Sequence, residues 1–328
     1  MASASMGMLG TADRLAAQAL SLWGAPDGAS ARRINVAENV TYLVEALGWR
    51  SVLRVHRPEY HSRRAIECEL AWSSALRESG LIKTPSAIPG RNGHPVQELQ
   101  DGGMTRHLVM FEFVEGSQPD ESSDLRQGFN ELGRIAAQTH LHSLGWQRPD
   151  PFERLSWDLD TIFGAEATWG DWRDAPNVTA DVRQVLDEVE ATVRRRLDAF
   201  GKDSDRYGLI HADMRLANLL IGPGGTQLID FDDCGFGWYL YDFAAGISFI
   251  EDHPQVTALK EAWVRGYRSV RSLPAEDEAE IDTFIMLRRL ALLAWIGSHM
   301  EATEPQALAP HFARVSAGLG EAYLRDFG

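Results

Sequence analysis

Between Leu209 and Asp233 the chain reads LIHADMRLANLLIGPGGTQLIDFDD, setting Asp213, Asn218 and Asp230 beside short apolar runs, with His211 just upstream. Charge is costly to bury, so carboxylates at the ends of strand-like runs call for a reason. Taken alone, the pattern is a set of oxygen ligands and one possible base. Phosphoryl transfer uses such a set: hard oxygens hold magnesium against a polyphosphate, and a carboxylate accepts the proton of the attacking hydroxyl. A metal site, an acid/base site and plain polar punctuation all remain open on this stretch alone.

The runs around these residues would serve as mounts. LLI behind Asn218 and QLI before Asp230 predict a tight strand pair turning at GPGG, with both residues directed toward one cleft. Earlier, Leu15, Ala16, Ala19, Leu20 and Trp23 recur at helical spacing, which predicts an opening helix over 11–23 behind ten unpatterned residues. RINVAENVTYLVEALGWRSVLRVHRP changes to a β-rich period with a turn at Gly48. A helix over 62–79 follows, with Ile66, Leu70 and Leu76 on one face and Gly80 as its stop. VMFEFVEG predicts a strand over 109–116. Beyond the polar connection PDESSDLRQ come a helix over 129–144, a Trp-rich acidic segment at 157–172, a charged helix over 178–200 and a helical last third. The simplest layout is a small β-rich front part, 1–115, and a larger α-rich part, 116–328.

Composition narrows the function classes. A chain of 328 residues that is 44% hydrophobic can bury a large core. A formal charge of −15 disfavours a nucleic-acid footprint, which needs a clustered basic face. Cys68 and Cys234 lie far apart and in no metal-like spacing, which predicts neither a zinc site nor a disulfide framework and points to a reducing cytoplasm. No run approaches the roughly 20 apolar residues of a membrane span, and the start MASASMGMLGTADR lacks the pattern of an export signal.

HxDxxxxN, then IDFDD, then GxxxxD resembles the signature of the aminoglycoside phosphotransferase-like superfamily, distant relatives of protein kinases. The likeness is carried by HADMRLANLL and LIDFDDCGFGWYLYDFA. It implies an α+β, two-lobed protein-kinase-like fold, with a small β-rich N-lobe and a larger, mainly helical C-lobe. Carried over position by position, Asp213 resembles the catalytic base, Asn218 and Asp230 the magnesium ligands, His211 the structural histidine of the catalytic loop, and Asp242 the acid that braces that loop. Asp232 and Asp233 lie next to the metal position, and Ala212 stands where the family usually has glycine. His140 resembles a histidine found on the family's long helix, although a satisfied core histidine explains it as well. Trp238, Tyr239 and Tyr241 either wall the acceptor pocket or pack loop against helices.

In the front lobe the resemblance implies the nucleotide grip. Arg54, in VLRVHRP, stands where a lysine normally reaches the phosphates, and none of the three lysines, Lys83, Lys202 and Lys260, can replace it. Arginine is always charged and binds phosphate through a bulkier fork. Glu69 matches the glutamate that pairs with this cation. VAENVTYLV lacks a glycine-rich loop and is similar to an ENxTY variant, in which Asn39 and Thr41 are the phosphate-contacting candidates. The backbone of Glu112 and Val114 matches the adenine-binding hinge, with Val52 packing on the ring.

The resemblance therefore implies an ATP- and Mg2+-dependent phosphotransferase acting on a hydroxyl of a small molecule, with neither nucleic acid nor membrane as partner. VLRVHRPEYHSRRAIECELAW and DFDDCGFGWYLYDFAAGISFIE resemble the homoserine-kinase-like and stress-response-kinase-like bacterial branch. Asp232, Asp233 and the acidic stretch 166–174 would favour an amine-bearing acceptor, such as an aminoglycoside, an amino alcohol or a homoserine-like molecule. The alternatives are a Ser/Thr protein kinase of the stress-response type and a nucleotide-binding pseudokinase.

Overall fold

The computed structural model describes residues 2–36, 39–119 and 124–328, with side chains from residue 10 onward. Ala37 and Glu38 of the expected phosphate loop and residues 120–123 of the polar connection lie outside the described residues. Helix α1 (Ala2–Trp23) opens the chain. It begins well before the expected Thr11, because alanine, methionine and leucine extend an existing helix at little cost. Strands β1 (Ser30–Val36), β2 (Val40–Ala46) and β3 (Trp49–Val55) follow as an antiparallel meander. Gly48, at φ 73°, makes the tight turn between β2 and β3. Buried Leu15, Ala16, Ala19 and Trp23 of α1 pack with Tyr42, Val44, Leu53 and Val55, so the helix covers one face of the sheet.

Helix α2 (Arg63–Glu78) starts at Ser62, whose hydroxyl accepts the Ala65 N–H at 3.0 Å, a regular N-cap. Strands β4 (Ala87–Ile88), β5 (Val96–Asp101) and β6 (Met104–Glu112) complete the sheet in the order β1-β2-β3-β6-β4, with β5 also paired to β6. The strand expected over 109–116 thus runs over 104–112. Its first half is drawn out by the β5 hairpin, which turns through Gly102 and Gly103, both at positive φ.

The rest of the chain comprises α3 (Arg126–Gly145), β7 (Leu155–Trp157), α4 (Leu159–Phe163), α5 (Ala180–Phe200), β8 (Tyr207–Ile210), β9 (Leu219–Gly222), β10 (Gly225–Leu228), β11 (Gly235–Trp238), α6 (Tyr241–Gly246), α7 (Val256–Arg268), α8 (Ala275–Glu278), α9 (Ile281–Ser298) and α10 (Thr303–Phe327). The chain divides into two compact units, one of Met1–Ser117, Gln147–Arg154 and Leu220–Asp232, the other of Gln118–Trp146, Leu155–Leu219 and Asp233–Gly328. The first holds the antiparallel sheet and nearly all of the β9–β10 hairpin; the second holds the sheet β7-β11-β8 and α3 to α10. The chain is thus an α+β protein with a helical later part. In the second unit α3 and α7 cross backbone to backbone: a Cβ at Gly133 would strike the Trp263 carbonyl oxygen, and one at Gly266 that of Asn130. Among the described residues, no helix is long and apolar enough to cross a membrane.

Candidate active site

In the second unit, β8 ends at Ile210 and delivers the loop His211–Asn218, which closes in a 3-10 turn, Leu216–Asn218. Ala212 is fully buried at φ 66°, a left-handed conformation that a Cβ makes unfavourable. The conformation is held by Asp242 on α6: its Oδ1 accepts the Ala212 N–H at 2.7 Å and its Oδ2 the His211 N–H at 3.2 Å. His140 Nε2 lies 2.9 Å from the same Oδ2 and His140 Nδ1 lies 3.0 Å from the Tyr267 hydroxyl, so this histidine is a satisfied core residue that ties α3 and α7 to the loop. Burial pushes its pKa down, against the pull of Asp242.

The loop presents Asp213 with both carboxylate oxygens engaged. Oδ2 accepts from Asn218 Nδ2 at 2.8 Å, and the same nitrogen donates to the Asp213 carbonyl, also at 2.8 Å. Asn218 is thereby oriented with its amide nitrogen committed. Oδ1 accepts from Arg288 Nη2 at 3.2 Å and lies 3.2 Å from Arg215 Nε. Burial alone would raise the Asp213 pKa; Arg215, Arg288, His211 and Asn218 outweigh it and hold the carboxyl below its usual range. Trp238, Tyr239 and Tyr241 are all buried, which makes them packing residues. Trp238 donates to the Gly201 carbonyl, and Tyr241 meets Arg288.

The first unit gathers a second cluster around Arg54 of β3. This buried arginine donates from Nη2 to Glu69 Oε1 at 2.5 Å, so the expected pair with α2 is present. Its Nη1 lies 3.4 Å from Asp232 and 3.6 Å from Asp230. Burial works against the charge, but Glu69, Asp232 and Asp230 overcome it and push the pKa up. Asp230 follows β10 with φ at 62°, which aspartate tolerates better than most residues, and its side chain is 48% exposed. Asp232 is enclosed: His61 approaches its carboxylate at 3.6 Å, His56 does so at the same distance, and Arg154 donates to its carbonyl. Burial is opposed by His61 and Arg54, leaving its pKa far below the carboxylate range. Asp232 is thus a buried carboxylate facing Arg54 and two histidines.

The remaining candidates of this unit sit on the sheet. Thr41 pairs with Arg54 across β2 and β3, and Val52 pairs with Phe111 across β3 and β6. Asn39 Oδ1 accepts the Arg57 N–H at 3.1 Å, so its carbonyl end holds the turn. The Glu112 N–H is taken by the Ser86 carbonyl at 2.9 Å, which leaves only its own carbonyl for a base. In the acidic stretch 166–174, Asp171 caps a short turn and pairs with Arg173. The structure thus joins Asp213 to Asn218 in one unit and Arg54, Glu69 and Asp230 in the other. His61 and Arg288 went unread as neighbours of these groups. For Arg288 a signal existed: two consecutive arginines interrupt the apolar run IDTFIMLRRLALLAW.

A model of the phosphotransferase enzyme family matches residues 30–280. Among solved structures, a microcompartment-associated aminopropanol kinase is similar at 46% identity, covering 96% of this chain and 98% of its own, with a TM-score of 0.89. An amicoumacin kinase in complex with AMP-PNP and Ca2+ shares the fold at 20% identity, covering 93% of this chain and 92% of its own, with a TM-score of 0.76. Amicoumacin kinase of Bacillus subtilis (strain 168) is 28% identical over 210 residues, which is 63% of this chain and 59% of that protein, so the match spans about three fifths of the curated relative.

Proposed function

This chain belongs to the phosphotransferase enzyme family, and from that premise we propose that it transfers the γ-phosphoryl group of ATP to a hydroxyl of a small amine-bearing molecule, a short amino alcohol in the first instance. The observation that carries the reading is the Asp213–Asn218 pair on a loop braced by Asp242. Asp213 orients the acceptor hydroxyl and takes its proton as the oxygen attacks phosphorus; the bond from the γ-phosphorus to the bridging oxygen breaks, and ADP leaves.

Asn218 and Asp230 are the residues that would hold Mg2+. Each offers a hard oxygen within its own unit: the Asn218 amide nitrogen is committed to Asp213, which leaves its amide oxygen for a cation, and Asp230 has a half-exposed carboxylate. The ion, when bound, supplies charge neutralisation on the phosphate oxygens. Arg54, aimed by Glu69, contacts the phosphates, with Thr41 and the amide end of Asn39 as further contacts. The Glu112 carbonyl and the Val114 backbone serve the adenine, and Val52 packs on its ring. The reading places the chain in a reducing cytoplasm, with Cys68 and Cys234 both buried. A protein acceptor is the weaker reading: β11 and α6 follow Asp230 within a dozen residues, leaving no length for a peptide-docking segment.

The amino-alcohol acceptor rests on the similarity to the aminopropanol kinase. ADP release measured over a panel of 1-amino-2-propanol, ethanolamine, homoserine, amicoumacin and aminoglycosides tests it. Turnover is expected with a short amino alcohol and lost without Mg2+; no ADP release with any amine-bearing acceptor would overturn the reading.

A further inference from the structure

Helix α9 carries two adjacent arginines, Arg288 and Arg289, each 3% exposed in an otherwise apolar run. Their surroundings differ in kind. Arg289 forms a self-contained pair: Nη1 meets Glu251 Oε2 at 2.5 Å, Nε donates to Ser316 Oγ at 2.8 Å, and the guanidinium lies 3.5 Å over the Phe312 ring. Arg288 lacks a short pair of that kind among the described residues, although Asp213 and Asp233 both act on its charge. Its Nε donates to Ser248 Oγ at 3.3 Å, its Nη1 to the Tyr241 hydroxyl at 3.3 Å and its Nη2 to Asp213 Oδ1 at 3.2 Å. The guanidinium also stands over the rings of Trp169 and Tyr241. Two neutral hydroxyls and two aromatic faces thus aim the fork, and it hydrogen-bonds the carboxylate of Asp213.

Burying a guanidinium costs several kcal/mol, and an apolar side chain of similar volume is often as stable or more so. A merely structural residue here would be better served by methionine. The geometry also limits what Asp213 can do. A carboxylate offers about four lone-pair sites. Arg288 and Arg215 crowd Oδ1, and Asn218 takes one site of Oδ2. Arg215 is the looser of the two arginines, with a side chain 26% exposed and a second carboxylate, Glu304, 3.7 Å away.

We propose that Arg288 is a positioning residue for phosphoryl transfer, pinning Asp213 through Oδ1 so that the open edge of Oδ2 faces the acceptor hydroxyl. The inference rests on the reading of Asp213 as the group that orients that hydroxyl. Misplacing a reacting group by about 1 Å costs on the order of 10²-fold in rate. Arg288→Met should therefore lower kcat about 10²-fold, while KM for nucleotide and acceptor changes less than about threefold. Arg288→Lys should recover part of the loss, and millimolar guanidinium should restore turnover to Arg288→Ala. Tyr241→Phe and Ser248→Ala, which loosen the fork without removing it, should each lower kcat by a smaller factor; they keep the test open should Arg288→Met fail to fold.

Asp213→Ala is measured alongside. A folded Arg288→Met with wild-type kcat, beside an inactive Asp213→Ala, overturns the positioning role alone. Wild-type turnover in Asp213→Ala overturns the reading beneath it. A loss confined to KM, or an Arg288→Ala that guanidinium does not rescue, likewise counts against positioning.

Discussion

Around Arg54 one guanidinium faces three carboxylates, Glu69, Asp230 and Asp232, whereas around Asp213 one carboxylate faces two guanidiniums, Arg215 and Arg288. Each cluster surrounds its central residue with an excess of the opposite charge, and the excess has opposite sign in the two. A surplus of carboxylate oxygen is the balance a divalent cation corrects, which is the role proposed above for Asp230 in the first cluster. A surplus of guanidinium keeps a buried aspartate ionised and fixed in place, so the second is suited to aiming a hydroxyl and receiving its proton. On the proposed function the contrast separates holding the phosphate donor from directing the acceptor, and it can be broken at either end.

The largest effect should come from removing one carboxylate from each cluster in turn. Asp213→Ala should lower kcat about 10²- to 10⁴-fold with nucleotide affinity retained. Asp230→Ala should instead weaken Mg-ATP, seen as a rightward shift in titrations with magnesium and little change without it. Equal behaviour of the two variants would erase the distinction. Next in size, Arg54→Met strips the cation from buried Glu69 and Asp232. Breaking a buried pair from one side costs about 3 to 5 kcal/mol, read as a lower urea midpoint at unchanged m. Arg54→Lys should cost less.

The smallest effect is on the acid side. Burial, reinforced by Arg54, pushes the His56 pKa well down, and burial pushes that of His140 down against Asp242. A histidine depressed in the fold takes up protons more readily when the chain is open, so acid favours unfolding. Stability should be full above the ordinary histidine value of about 6.5 and should fall as pH drops below it. Urea midpoints at pH 7.5 and 5.5 check this; His140→Gln should flatten the dependence in part.

Much of this was legible in the residues. HADMRLAN and YDFA were read as a loop and its brace through their resemblance to a family signature, and the hydrogen bonds from His211 and Ala212 to Asp242 join them across about thirty residues. The α1 and α2 faces followed from helical spacing, since periodicity reports burial directly. What periodicity cannot report is the choice of distant partners. The sheet β7-β11-β8 assembles three- and four-residue strands from separate stretches, too short to show alternation. Asp232 looked like a spare acid beside the metal position; only the fold brings His61, His56 and Arg154 around it. Arg288 stands 75 residues from Asp213, and nothing local says which carboxylate a buried arginine will find.

The glycine crossing of α3 and α7 has a mechanical consequence. With main chains in direct apposition at Gly133 and Gly266, the joint has no side-chain cushion to absorb a shift, and it holds the elements bearing His140 and Tyr267 in fixed relation. A single added methyl there would be felt as a displaced hinge pin, reaching the catalytic loop through His140 and Asp242 although no atom of the chemistry had been touched.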